Sequence, residues 1–537
     1  MKIARLAAAV ALSAVALTMP AFAQNGQGMS RYLIQYQPAN EQALKEAIAL
    51  NGGSVAFDYS ALINGLAADL SPQGIKAVRT SGLATRIEDD AVRTLHALPA
   101  GFPIAFPEFV GWGVDRVQGD VVWSIGPNLG VADNGVAAPD VAAGSVTGAG
   151  VVVGVLDSGI DYNHPDLAAN ILDLRADGVI RDFLDGDADP TDSANNGHGT
   201  STSSVIASVD NSVGVIGVAP GAKISPYRVC NVNCPLSAII GGLAQAVADG
   251  VDVINMSFGG PAGFNIEASA IQAANAAGVV LVASAGNDAS QKPSFPAGYD
   301  TVLAVGATAI NDAAASFTNT GGWVDVTGPG VAIPAATCQG CGLAAFVNEV
   351  TPTPQSFQAN GMTGSAVATV LNTEILDVGL ACIALPAGSL AGKVALIVRG
   401  TCTFATKVGN AEGAGAVGSI VFNNAAGNFC GTLGAFASAG PAVSLSQADG
   451  QTLAGEIAGG TTSVDVGVVA VDYGLVSGTS FSGPHVAGVA ALVKSVDPTL
   501  SPIEVRKIIE TTAEPLGAQV IFGAGMVRAD NAVNAAQ

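Results

Sequence analysis

Gly150-Val-Val-Val-Gly-Val-Leu156 is an unbroken apolar run that ends on Asp157 and turns at Ser158-Gly159. A short run of this kind, closed by a charge and a glycine, reads as a strand buried on both faces, as in a parallel sheet. Working outward, Ala222 to Arg228, Val251 to Asn255, Val279 to Ala283 and Val302 to Val305 repeat the pattern. Pro235 to Asp249 and Phe264 to Ala277 have helical spacing between them. Strands alternating with helices imply an α/β fold, a mostly parallel sheet flanked by helices on both faces. Functional groups in such folds gather at the carboxyl ends of the strands, where Asp157, Ser257-Phe258-Gly259-Gly260 and Asn287 all fall.

Two further motifs lie downstream of Asp157. His198 sits in Asn196-Gly-His-Gly-Thr200, and Ser480 in Gly478-Thr-Ser-Phe-Ser-Gly-Pro-His485-Val-Ala-Gly488. A serine hydroxyl is a weak nucleophile at neutral pH and needs an imidazole to take its proton, with a carboxylate to hold that imidazole in one tautomer. The chain order Asp, His, Ser is that of subtilisin and differs from those of chymotrypsin and the α/β-hydrolases. With Ala283-Ser-Ala-Gly-Asn287-Asp288 as a fourth motif, the chain resembles the subtilase family over Trp112 to about Gly330 and Val476 to Met526.

That resemblance implies catalytic roles for Asp157, His198 and Ser480, and makes Asn287 the oxyanion-hole amide beside the backbone N–H of Ser480. It also implies that Ser257, Phe258, Gly259 and Gly260 form an edge that pairs with an extended protein or peptide substrate, with Phe295 lining the same cleft. The sequence departs from the family at Ser201, where a second histidine is common, at Phe481 in place of methionine, and at Ser482-Gly483 in place of two alanines. His164 and His485 are read as packing residues, and Gly361-Met-Thr-Gly-Ser365, a superficial echo of the nucleophile motif, as a strand.

The flanking segments suggest a precursor. Lys2 and Arg5, an apolar run from Leu6 to Leu17 and Ala21-Phe22-Ala23 have the form of a signal peptide over 1–23, hence a secreted, extracellular product. Residues 24–109 combine a small α+β pattern (strands near 32–37, 54–59, 65–70 and 84–89, helices near 40–51 and 71–81) with a proline-bearing linker at 99–107. They resemble the inhibitory propeptide of secreted subtilases, so the chain's own propeptide is expected as an inhibitor. Residues 110–335 and 473–537 are then two parts of one catalytic domain. Between them, 336–472 change to Gly, Ala, Val, Thr and Ser, with Gly392 to Gly400 and Gly413 to Asn424 as strands around a helix. This β-rich insertion resembles the protease-associated domain.

Carboxylates offer a further expectation. Asp182, Asp185, Asp187, Asp189 and Asp192 crowd the stretch before His198, and hard oxygens at alternate positions suit calcium as well as they suit a hydrated acidic loop. Asp210-Asn-Ser-Val-Gly-Val-Ile216 resembles the family's calcium loop. Asp166, Asn211 and the carbonyls of Val209, Val213 and Val215 are the implied ligands of a structural calcium ion.

A net charge of -22, with 21 Lys+Arg against 43 Asp+Glu, repels a phosphate backbone and sets nucleic acid aside as a partner. After the first segment no apolar stretch is long and unbroken enough to span a bilayer. Seven cysteines in an exported chain favour disulfides, with Cys230–Cys234, Cys338–Cys341 and Cys382–Cys402 as the preferred pairs. Two functions fit these observations. One is a self-processing secreted endopeptidase; the other is a catalytically silent secreted binding protein that keeps the fold and recognises partners through the insertion.

Overall fold

The computed structural model describes residues 28–95, 109–123, 145–192, 197–231, 233–338, 342–357, 359–362, 364–425, 433 and 436–537. The signal-like segment 1–23, the linker 99–107 and Cys341 lie outside them. Two compact units are present, one of Met1–Phe57 with Gly65–Ala91 and one of Asp58–Asn64 with Val92–Gln537.

The first unit is a four-stranded sheet in the order Ser54–Asp58, Gly65–Leu70, Ser30–Tyr36, Ala84–Asp89. Ser30–Tyr36 runs antiparallel to both of its neighbours. Helices Glu41–Leu50 and Pro72–Thr80 supply Leu44, Ile48, Ile75 and Val78 to a core shared with Ile34, Leu66 and Leu70. Pro72 pre-sets the first helical turn, and the Ser71 hydroxyl accepts from the Gly74 N–H at 3.0 Å, so the helix starts where its sequence dictates.

In the second unit the central sheet has six strands in the order Val326–Pro329, Val302–Thr308, Val280–Ser284, Val253–Met256, Val152–Asp157, Lys223–Arg228. All five pairings are parallel. Val153, Val253, Val280 and Val305 share one core with Val486, Val489 and Val493 of helix Thr479–Val496, which crosses the sheet. The strand and helix readings hold to within a few residues. Val326–Pro329, hidden in a short Gly-rich stretch, is a strand that the apolar pattern did not reveal.

The insertion forms its own eight-stranded sheet, partly antiparallel (Gly342–Thr351 with Ser463–Val471) and partly parallel (Val394–Val398, Gly418–Phe422, Ala442–Leu445). Helix Phe404–Gly413 separates the first two parallel strands. The strand expected over Gly361 to Ser365 reaches only Asn360–Gly361, because Gly364 then turns the chain at φ +91. Cys230–Cys234 and Cys382–Cys402 are disulfide-bonded as expected, and Cys338 is also disulfide-bonded.

His485 is fully buried in helix Thr479–Val496 and bonds the Phe481 carbonyl through Nδ1 at 2.7 Å. Burial pushes its imidazole down to about 4, against a small opposing effect of that bond. An unfolded chain titrates at about 6.5, so between about 6.5 and 4 the unfolded state binds a proton that the folded state does not. Stability is therefore intact above the unfolded value and lost as the pH falls through this window. The melting temperature of the wild type should drop more steeply over that range than that of His485→Gln; parallel curves would count against this assignment.

Candidate active site

Asp157 ends its strand with no solvent exposure, so its carboxylate has to be met by protein donors. The Ser158 N–H donates to Oδ1 at 2.7 Å, and His198 Nδ1–H donates to the same oxygen at 2.7 Å. His198 opens helix His198–Ala207 and is itself buried. The helix can start there because Gly199 has no Cβ, which would lie 2.1 Å from the Gly159 carbonyl oxygen. The glycine after each of the first two motifs thus brings strand end and helix start together. With Nδ1 fixed, His198 Nε2 has no hydrogen-bond partner among the described residues.

Ser480 lies in the first turn of its helix, where unpaired backbone N–H groups gather. Its Oγ donates to the Ser257 carbonyl at 2.9 Å, and Ser257 Oγ donates back to the Ser480 carbonyl at 2.9 Å. Asn255 Nδ2 donates to Ser257 Oγ at 3.0 Å. The Ser480 hydroxyl therefore rests on the Ser257 end of the Ser257 to Gly260 edge. Phe481, next to it, packs its ring 5.5 Å from that of His198.

The Asn287 amide is held in one orientation. Its Oδ1 accepts from the Thr479 N–H at 3.0 Å and from the Thr479 hydroxyl at 2.9 Å. A backbone N–H can only donate, so the oxygen faces Thr479 and the NH₂ group faces the other way. Thr479 was not singled out by the sequence reading, although its place directly before Ser480 was visible.

Two edges flank a strand of the chain itself. Val92–Leu95 runs antiparallel to Asn233–Pro235 on one side and Phe258–Gly259 on the other, pairing Thr94 with Gly259 and Leu95 with Phe258. The edge expected from Ser257 to Gly260 is thus engaged as a strand partner. Gly260 and Phe295 form an adjoining bridge, with N–H to carbonyl distances of 3.0 and 2.8 Å.

The acidic stretches are less suited to a cation than their composition suggests. Asp182 and Asp185 both bind the Arg228 guanidinium, Asp189 accepts from the Thr191 hydroxyl, and Asp187 accepts from the Asp189 N–H. A guanidinium 46 and 43 residues away in sequence meets the demand for positive charge there. Around the second loop, buried Asp166 accepts from the Val215 N–H and the Tyr473 hydroxyl, each at 2.9 Å. Asn211 Oδ1 accepts from the Val213 N–H, and its Nδ2 donates to the Pro165 carbonyl. The donor chemistry fits calcium, but the amide oxygen is turned into its own turn. Among the described residues no cluster of three or more His, Cys, Asp or Glu is arranged to hold a metal ion.

Asp192 is a second buried carboxylate beside Asp157. It accepts from the Ser158 hydroxyl at 2.9 Å and from the Thr200 hydroxyl and N–H at 2.8 and 3.1 Å. Burial raises its pKa from the ordinary range, opposed chiefly by the Thr200 hydrogen bonds. In the sequence it was one more acid in a crowded stretch.

Comparison with known proteins matches the subtilase family over residues 148–374 and 407–525, and the PA domain over 326–453. Alkaline elastase YaB of Bacillus sp. (strain YaB) is 34% identical over 301 residues, 56% of this chain and 68% of that one. M-protease of Shouchella clausii (strain KSM-K16) is 31% identical over 332 residues, 59% and 77% of the two chains. Among solved structures, the psychrophilic subtilisin-like protease Apa1 from Pseudoalteromonas sp. AS-11 superposes with a TM-score of 0.51 at 26% identity, covering 79% of this chain and 97% of that one. Fervidolysin from Fervidobacterium pennivorans, at 19% identity and a TM-score of 0.56 over 94% and 61% of the chains, shares the fold.

Two substitutions probe these supports. Thr479→Val removes one of two donors to Asn287 Oδ1 and should lower kcat about three- to tenfold with KM nearly unchanged, since one neutral hydrogen bond contributes about 1 kcal/mol. Asp192→Ala orphans three donors at once and should cost roughly 3 kcal/mol in denaturant unfolding. Wild-type turnover in the first, or a shift below about 1 kcal/mol in the second, would remove the role assigned.

Proposed function

Starting from the fact that this chain belongs to the subtilase family and is a serine-type endopeptidase, we propose that it is a secreted, self-processing precursor that cleaves proteins through Asp157, His198 and Ser480. The observation that carries this reading is the Asp157–His198 hydrogen bond beside Ser480, facing an edge already paired with an extended strand of the same chain.

In the proposed reaction, Ser480 Oγ attacks the scissile carbonyl as its proton passes to His198 Nε2. The tetrahedral oxyanion accepts hydrogen bonds from Asn287 Nδ2 and the Ser480 N–H, worth about 10²–10³ in turnover for a side-chain donor in subtilisin. The intermediate then collapses, and the departing amine takes the proton from His198. Water, deprotonated by the same imidazole, hydrolyses the acyl-enzyme. Asp157 stays ionised throughout and stabilises the imidazolium.

Secretion follows from the signal-like segment 1–23; among the described residues no helix is long and apolar enough to cross a membrane. Inhibition by the chain's own propeptide is supported by Val92–Leu95, which fills the strand position a substrate would take. The domain division into 24–109, 110–335, 336–472 and 473–537 belongs to the same proposal. So does a structural calcium ion at Asp166, with Asn211 and the Val209, Val213 and Val215 carbonyls, for which the Asn211 amide would have to turn.

Casein hydrolysis by the secreted wild type and by Ser480→Ala, with the N-terminus of each sequenced, tests the catalytic reading. Activity and a shortened N-terminus in the wild type, both lost in the variant, are expected. Equal behaviour would favour a silent binding protein instead. Chelation should lower the melting temperature by several degrees if calcium binds at Asp166; an unchanged value would leave the Tyr473 hydroxyl as that carboxylate's partner.

A further inference from the structure

Arg93, in the strand Val92–Leu95, is 1% exposed, an unusual state for a guanidinium. It enters a closed acidic pocket. Its Nε donates to Glu267 Oε1 at 3.1 Å and its terminal nitrogen donates to Oε2, a bidentate pair. Glu267 has no solvent exposure and stands in the first turn of helix Asn265–Ala276, where the helix dipole favours a negative charge. The Tyr299 hydroxyl donates to Oε2 at 2.6 Å and accepts from the Phe264 N–H at 2.9 Å, which fixes the carboxylate. The Phe264 ring lies 5.3 Å from the guanidinium carbon. Gly260 completes the pocket by lacking a Cβ, which would fall 2.9 Å from Arg93.

From these contacts we infer that Glu267 is a specificity-determining residue that selects substrates carrying arginine at the fourth position before the scissile bond. The position follows from register. Thr94 faces Gly259 and Leu95 faces Phe258, so the next residue of a strand in this register faces Ser257. The Ser257 carbonyl is 2.9 Å from Ser480 Oγ, which places that residue's carbonyl at the nucleophile. Counting back along such a substrate, the residue at Arg93's place is the fourth. A buried carboxylate left without its cation is strongly destabilised, so a neutral or acidic side chain there binds poorly. The charge balance of 21 Lys+Arg against 43 Asp+Glu also favours the approach of basic peptides to the chain as a whole.

This inference rests on the proteolytic reading, and its test separates the two. Peptides identical except for Arg, Lys, Ala or Glu at the fourth position would be hydrolysed by the mature wild type and by Glu267→Gln. Loss of all hydrolysis in Ser480→Ala reports on the catalytic reading alone. Arginine should exceed alanine about 10- to 100-fold in kcat/KM, as befits one charge-assisted bidentate pair, with glutamate lowest. In Glu267→Gln the arginine-to-alanine ratio should fall below about three. Equal rates for the arginine and alanine peptides in the wild type, or a ratio untouched by Glu267→Gln, overturn the inference. Should Glu267→Gln fail to accumulate, Tyr299→Phe removes the hydroxyl holding Oε2 and should reduce the ratio about two- to fivefold; no change overturns it. If no peptide is hydrolysed, anisotropy of labelled Ala-Val-Arg-Thr-Leu against Ala-Val-Ala-Thr-Leu reads the pocket directly, with a Glu267-dependent preference for arginine supporting the inference and equal binding overturning it.

Discussion

A carboxylate with no exposure at the end of a parallel strand is the constraint on which the site depends. Asp157 is desolvated by the sheet around it, and among the described residues the Ser158 N–H and the His198 imidazole are its short hydrogen-bond partners, with the Thr202 hydroxyl farther off at 3.4 Å. Bringing the imidazole there requires helix His198–Ala207 to start against the Ser158-Gly159 turn, which is why Gly199 tolerates no side chain. The turn is in turn held by Asp192, a second buried carboxylate that binds Ser158 and Thr200 together. Burial raises the pKa of Asp192, and the Thr200 and Ser158 hydrogen bonds oppose that rise, so the second carboxylate is held by donors of the same turn that it organises.

Local pattern made the fold legible and brought the motifs around Asp157, His198 and Ser480 into view. Four of the six central strands are largely apolar runs, Lys223–Arg228 is read from its place in the alternation, and Asp157, Ser257 and Asn287 lie at or just beyond strand ends. What local pattern does not carry is pairing across sequence. Two of the carboxylates near His198, Asp182 and Asp185, meet the Arg228 guanidinium, delivered by the neighbouring parallel strand through the pairing that sets Asp157 beside it. Arg93 and Glu267 are 174 residues apart and each is unremarked in its own segment. Only the fold shows that they neutralise one another where no water reaches.

Thr479 illustrates a different limit. Its identity was visible beside Ser480, yet its effect depends on which way the Asn287 amide points, and composition cannot encode a rotamer. Once a backbone N–H fixes the acceptor, the NH₂ end of that amide is held facing away from Thr479.

The insertion enters the catalytic unit at a demanding place, only a few residues before Ser480, and the base of the insertion explains how. Ile333–Ala336 leaves and Tyr473–Val476 returns as an antiparallel pair, so the two ends are fixed side by side whatever lies between them. Closing a longer loop then adds little, since the entropic cost grows only with the logarithm of its length. Beyond the pair, the Gly478 N–H donates to the Gly330 carbonyl at 2.8 Å and the Ala332 N–H to Ser477 Oγ at 2.9 Å. These bonds clamp the entry to the helix that carries Ser480. Ser480 is therefore positioned by the central sheet and this short ladder, ahead of whatever the inserted domain contains.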